Sequence, residues 1–264
     1  SILKNNVYLF LICLLLGILT SFSLPPYNLV FINFLTLPLL LHILINYVDK
    51  KTISFFVGWV FGFGYFISNL YWITNSLTFD VNFKLIIPFA LILIPLFLGT
   101  FYGLVTFLSS LFNLKNKLSS VLIFSIFFGG IEFLRSFILG GFPWNLLVFS
   151  VSNNLPSLQI LSYVGTYSLN LLSITIFLLP IIFFHKYKSS AAVIFFCIGL
   201  ILVVINYSYG YFNIKNFEKK KYDKLDSVIR VVSPKVPIER FLTNQSPEKN
   251  IDELLTLSLS LIHI

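Results

Sequence analysis

Residues 85–112 read LIIPFALILIPLFLGTFYGLVTFLSSLF, a run with no charged side chain. It exceeds the roughly 20 apolar residues that cross the hydrocarbon core of a bilayer. Working outward, comparable runs occupy 7–23, 29–47, 54–73, 120–139, 157–184 and 190–210. Together they predict an all-α polytopic membrane bundle of about seven transmembrane helices. The first run overlaps the length of a cleaved signal, but six further spans favour a retained helix. Pro88 and Pro95 lie within the fourth run and predict a bend, because each removes a backbone donor and adds a ring clash. Pro25-Pro26, followed by Tyr27 and Asn28, reads as the turn of the first hairpin.

Composition agrees. Hydrophobic residues make up 57% of the chain and charged residues 11%, with a mean hydropathy of +0.92, whereas soluble domains carry about a quarter charged residues. The formal charge of +8 does not mark a nucleic-acid partner. Up to residue 210 the basic side chains other than Arg135 sit in short gaps flanking the apolar runs, where they set orientation. Lys4, Lys50, Lys51, Lys115, Lys117, Lys186 and Lys188 fall in alternate gaps and Lys84 alone in the others. This places the N-terminus on the cytoplasmic side and residue 211 onward outside. Cys13 and Cys197 lie inside apolar runs and read as small buried hydrophobes, not as a metal site or nucleophile. No metal and no cofactor is expected.

Beyond 210 the character changes. Residues 1–210 form the membrane domain, 211–226 a polar linker, and 227–264 the opening of a second unit. Ser227-Val228-Ile229-Arg230-Val231-Val232 reads as a first strand. Ser246-Pro247-Glu248 reads as a helix start, with an N-cap, a proline at the first helical position and an acid in the first turn. About 40 residues are too few for an independent core, so this unit is read as incomplete.

The chemistry-bearing candidates cluster around the gap between the fifth and sixth runs, Gly140-Gly141-Phe142-Pro143-Trp144-Asn145, preceded by Glu132 and Arg135. Ionisable residues inside a span are costly and are usually paired or functional. Three positions apart, Glu132 and Arg135 share a helix face. Two readings stay open: a structural ion pair with Arg135 snorkelling to the outer interface, or polar contact with a lipid headgroup. Trp144 sets an amphipathic ring at headgroup depth, by itself an aromatic-belt anchor; the candidates for lipid contact are Phe142, Pro143 and Trp144, then Glu132 and Arg135. A second set on the third run, Trp59, Gly62, Gly64, Phe66, Tyr71 and Trp72, reads as close helix packing through its glycines.

These residues resemble bacterial apolipoprotein N-acyltransferase. The resemblance rests on Leu24-Pro25-Pro26-Tyr27, Gly58-Trp59-Val60-Phe61-Gly62-Phe63-Gly64 with Tyr71-Trp72, Glu132-Phe133-Leu134-Arg135 and Gly141-Phe142-Pro143-Trp144. Pro156, Gln159, Gly165 and Asn170 follow in order. It implies a multi-pass protein of the bacterial inner membrane whose residues from 211 are periplasmic, and a truncated α/β, nitrilase-like unit opening at 227. It implies acyl transfer from a phospholipid to the N-terminal cysteine of an apolipoprotein, through a thioester on an enzyme cysteine. The family's Glu, Lys and Cys are expected beyond Ile264, so no catalytic residue is expected within the chain, which alone is expected to be an inactive fragment. Phe241-Leu242 stands where the family carries a Trp-Asp pair. Rival readings are a lipid or small-solute transporter, disfavoured by the lack of paired broken helices, and a nonfunctional remnant.

Overall fold

The computed structural model describes residues 6–115, 118–138, 141–184, 190–220 and 247–259. The expected strand at 228–232 and most of the expected linker lie outside the described residues. The described elements are helices: α1 Asn6–Ser21, α2 Asn33–Asn46, α3 Lys51–Leu70, α4 Ile87–Ser110, α5 Ser119–Arg135, α6 Leu155–Leu158, α7 Leu161–Phe177, α8 Ile181–Phe184, α9 Ser190–Glu218 and α10 Pro247–Leu259. Shorter 3-10 segments cover Val30–Ile32, Tyr71–Thr78, Val81–Ile86 and Leu147–Val151. A helix lies in each apolar run read from the sequence. Four stretches, Lys51–Thr78, Val81–Ser110, Leu161–Phe183 and Ser190–Lys219, are long and apolar enough to cross a membrane.

Three details depart from the sequence reading. Helix α4 begins at Ile87, so Pro88 sits in its first turn, where no backbone bond is lost, and only Pro95 is internal. The sixth run is not one helix: Gly165 adopts φ 74° and ψ 169°, a conformation closed to a helical residue, and breaks α7 after one turn. Past Leu70 the third helix tightens into the 3-10 turn Tyr71–Thr78. In addition, α9 continues through residue 210 to Glu218. Helix α10 starts at Pro247 with Glu248 in its first turn.

Helix α3 is the centre of the bundle, with α1 against one face and α4 against another, and glycines set both distances. A Cβ on Gly64 would sit 2.5 Å from the Leu14 carbonyl of α1, and Gly17 packs directly on the Phe61 carbonyl. A Cβ on Gly62 would lie 2.9 Å from the Cα of Gly99 on α4. With little hydrophobic drive between helices in lipid, such close backbone approach supplies the dispersion contact that replaces it. Polar side chains bridge α3 to α4 and α1 to α2. Ser54 Oγ donates to the Thr106 carbonyl at 3.1 Å and Thr106 Oγ1 returns a bond to the Ser54 carbonyl at 2.7 Å. Trp59 Nε1 donates to the Leu96 carbonyl at 3.0 Å, and Thr20 Oγ1 to Thr36 Oγ1 at 2.8 Å.

The loops sort to two ends. Lys115 Nζ lies 3.9 Å from Asp49 Oδ1, which puts the α2–α3 and α4–α5 connections at one end. Leu24, Pro25, Asn69, Trp72, Asn145 and Phe149 surround a small cavity at the other. That second end carries the candidate site.

Candidate functional site

The site is assembled from the last turn of α5 outward. Glu132 and Arg135, both fully buried, face into the bundle. Glu132 Oε1 accepts from Tyr102 Oη on α4 at 2.9 Å, and Oε2 accepts from Asn170 Nδ2 on α7. Arg135 Nη2 stands 3.8 Å from Glu132 Oε1. Three helices thus meet on one carboxylate. A buried charge is tolerated only when paired and bonded, and here the carboxylate has a cation and two donors.

The cluster then reaches the loop. Arg135 Nη2 donates to the Trp144 carbonyl at 3.1 Å, and the Arg135 carbonyl accepts from Phe142 N at 3.1 Å. Tyr65 Oη donates to the Asn145 carbonyl at 2.8 Å, and Asn170 Oδ1 accepts from Val148 N at 2.9 Å. Asn33 Nδ2 donates to Ser150 Oγ at 3.1 Å. Four helices therefore hold the backbone or side chains of 142–150, whose own geometry forms no regular ladder until Leu147. Gly141 at φ +83° makes the entry turn, and a Cβ there would strike the Ser136 carbonyl.

Arg135 is buried beneath this loop, not extended toward a surface. Its Cζ lies 5.1 Å from the Phe66 ring centroid and 5.9 Å from that of Phe142. Nε and Nη1 have no hydrogen-bond partner among the described residues, so the aromatic faces are their company. A cation over such a face gains about 2 kcal/mol when desolvated.

Above the cluster the Trp144 and Trp72 rings stack, with centroids 5.5 Å apart and planes 21° apart, and Phe142 tilts against Trp144 at 5.6 Å. These rings, with Ile73, Phe79 and Pro143, wall a cavity of about 540 Å³. Trp72 and Trp144 remain 43% and 49% exposed, so the mouth is open. An open apolar cleft rimmed by indole rings suits an acyl chain at a membrane interface.

The sequence places Phe142, Pro143 and Trp144 together, and the structure brings all three to the cleft. Glu132 and Arg135 lie beneath it and do not line it. Trp72, read as packing, is a wall of the cleft. Tyr65 and Tyr102 carry no sequence signal beyond being hydroxylated rings within apolar helices. Asn170, a lone amide within a span, is a visible signal. Among the described residues no group of three His, Cys, Asp or Glu side chains could hold a metal.

Fold and site define a helical membrane protein with a polar buried cluster supporting an apolar cleft at one end. Residues 16–179 match the apolipoprotein N-acyltransferase N-terminal domain, and the chain belongs to that family. It is 26% identical to an apolipoprotein N-acyltransferase of Rhizobium rhizogenes over 94% of this chain and 48% of that protein. It is 26% identical to one of Agrobacterium fabrum over 92% of this chain and 46% of that protein. A third, from Allorhizobium ampelinum, is 32% identical over 48% of this chain and 24% of its own length. The chain thus spans about half the length of the first two relatives. The matched stretch contains the whole cluster and both tryptophans of the cleft.

Proposed function

We propose that this chain is the membrane unit of an N-acyltransferase, and that the Trp72–Trp144 cleft admits an acyl chain of the phospholipid donor. The acceptor is the N-terminal cysteine of an apolipoprotein. One observation carries this reading: an open apolar cavity of about 540 Å³ lies within the family-matched stretch, with one wall fixed by a buried ion pair. Phe142, Pro143 and Trp144 contact lipid. Glu132 and Arg135 act through Trp144, since their burial leaves them no surface for a headgroup.

The same reading gives the chain seven spans in the bacterial inner membrane, the N-terminus cytoplasmic and residues from 211 periplasmic. The distribution of lysines between gaps and the shared end of Asp49 and Lys115 support it. Residues 227–264 then open a nitrilase-like unit on the side where the cleft lies.

The test is photolabelling of the purified chain in lipid nanodiscs by a diacyl phospholipid bearing a diazirine near the end of one chain. Adducts should concentrate on Trp72, Phe79, Phe142 and Trp144 and fall about fivefold in Trp144→Ala, the equivalent of about 1 kcal/mol. Adducts confined to the exposed face of α9, with none in the cleft, would overturn the assignment.

A further inference from the structure

A third cavity, separate from the tryptophan cleft, lies between α2, α7 and α9. Two glycines on one face of helix α9 set its close approaches to the bundle. Gly199 packs on the Leu179 side chain, and Gly210 packs on the main chain of Pro156. Between these two seats Leu202, Val203 and Asn206 look across a space of about 220 Å³ toward Phe34, Leu172 and Phe177. Phe34 and Phe177 form an edge-to-face pair at 5.1 Å that walls it. Leu202 and Val203, each 41% exposed, leave it open to the lipid side.

Besides Ser157 and Ser173, this largely apolar space is lined by one polar side chain with an unpartnered buried atom among the described residues. Asn206 Nδ2 donates to the Ser157 carbonyl at 3.1 Å. Because a carbonyl can only accept, that bond fixes the amide orientation. The other atom is therefore Oδ1, an acceptor, which is buried without a partner among the described residues. A buried acceptor left unsatisfied is costly, and within a membrane it has no bulk water to turn to. The cavity calls for an apolar chain that carries a hydrogen-bond donor. Intact diacyl glycerophospholipid offers only ester oxygens near its chains.

Resting on the acyl-transfer reading above, we propose that this cavity holds the single-chain lipid left behind by the reaction. Transfer breaks an ester C–O bond of the donor and forms an amide C–N bond on the acceptor, and one amine proton ends on the glycerol oxygen. The remaining lipid has one chain and a new hydroxyl. That hydroxyl is the donor Asn206 lacks, and the chain fits between Phe34, Phe177 and Val203.

The experiment uses the full chain in nanodiscs and three probes of equal chain length with the same terminal diazirine: a lysophospholipid, its O-methyl ether and a diacyl phospholipid. The lysophospholipid should label Leu172–Phe177 and Leu202–Asn206, and methylating its hydroxyl should lower that labelling about fivefold, as should Asn206→Leu. Val203→Trp, which fills the space, should abolish it. Equal labelling by the free hydroxyl and its ether, or no label in this cavity, would overturn the proposal without any variant having to fold. Because the diacyl probe reports on the tryptophan cleft in the same sample, its failure there removes the transfer reading and the co-product assignment with it. Failure of the lysophospholipid alone removes only this site.

Discussion

Asn170 bonds the Glu132 carboxylate with its amide N–H and the Val148 main-chain N–H with its carbonyl oxygen, at 2.9 Å for the latter. A single side chain of α7 therefore ties the charged end of α5 to the loop that carries Trp144. Removing it strands two partners in a dry interior. Asn170→Leu should lower stability by about 1–3 kcal/mol, read as a drop in the thermal unfolding midpoint in nanodiscs. A midpoint unchanged from wild type would show that these two bonds do not hold the fold together.

The Glu132–Arg135 pair predicts a non-additive pattern. Glu132→Leu leaves Arg135 buried without its counter-ion and should cost about 3–5 kcal/mol. The double variant Glu132→Leu, Arg135→Leu should be less damaged than either single change, because it removes the orphaned charge. The check is a double-mutant cycle on thermal stability. Additive losses would mean that the two charges do not act as a unit.

The glycines of α3 and α5 should respond in opposite ways. A Cβ at Gly58 would strike the Tyr102 carbonyl and the Thr106 side chain of α4, so Gly58→Ala should separate the helices and deplete folded protein in membranes. Gly130 has nothing within 4 Å of its added Cβ, so Gly130→Ala should be neutral or gain up to about 1 kcal/mol from helix propensity. Both are measured as yield of monodisperse protein and its midpoint.

Orientation is tested by cysteine accessibility. In a Cys197→Ser background, Asp49→Cys and Lys115→Cys should label from one side of sealed vesicles. Asn82→Cys and Asn153→Cys should label from the other. Labelling of positions 49 and 115 from opposite sides would contradict the shared end that their 3.9 Å separation defines.

Much of the fold is legible in the amino-acid sequence. Apolar runs set the helices, because a bilayer leaves a chain few other ways to satisfy its backbone. The three-residue spacing of Glu132 and Arg135 puts both on one face. Gly62 and Gly64 mark close packing, as Gly62 on Gly99 bears out. What stays hidden is contact between residues distant in sequence. Nothing local says that Tyr102 and Asn170, 30 and 38 residues from Glu132, find the same carboxylate, or that Tyr65 reaches a carbonyl 80 residues away. Trp72 reads as packing because its partner, Trp144, lies on a separate loop. The break at Gly165 is equally concealed, since glycine within an apolar run is compatible with a continuous helix. Arg135 reads as able to snorkel because its reach is visible in sequence and the aromatic lid of Phe66 and Phe142 is not.

The buried cluster holds the loop bearing Trp144 in place, and amide hydrogen exchange across 141–151, compared between wild type and Asn170→Leu in nanodiscs, tests this most directly. Slow exchange is expected at Phe142 and Val148 in wild type. In the variant, exchange at Val148 should accelerate at least about tenfold, the equivalent of about 1.4 kcal/mol, and by more than in α3 or α4. Fast exchange at Val148 in wild type, or equal rates in the two proteins, would contradict it.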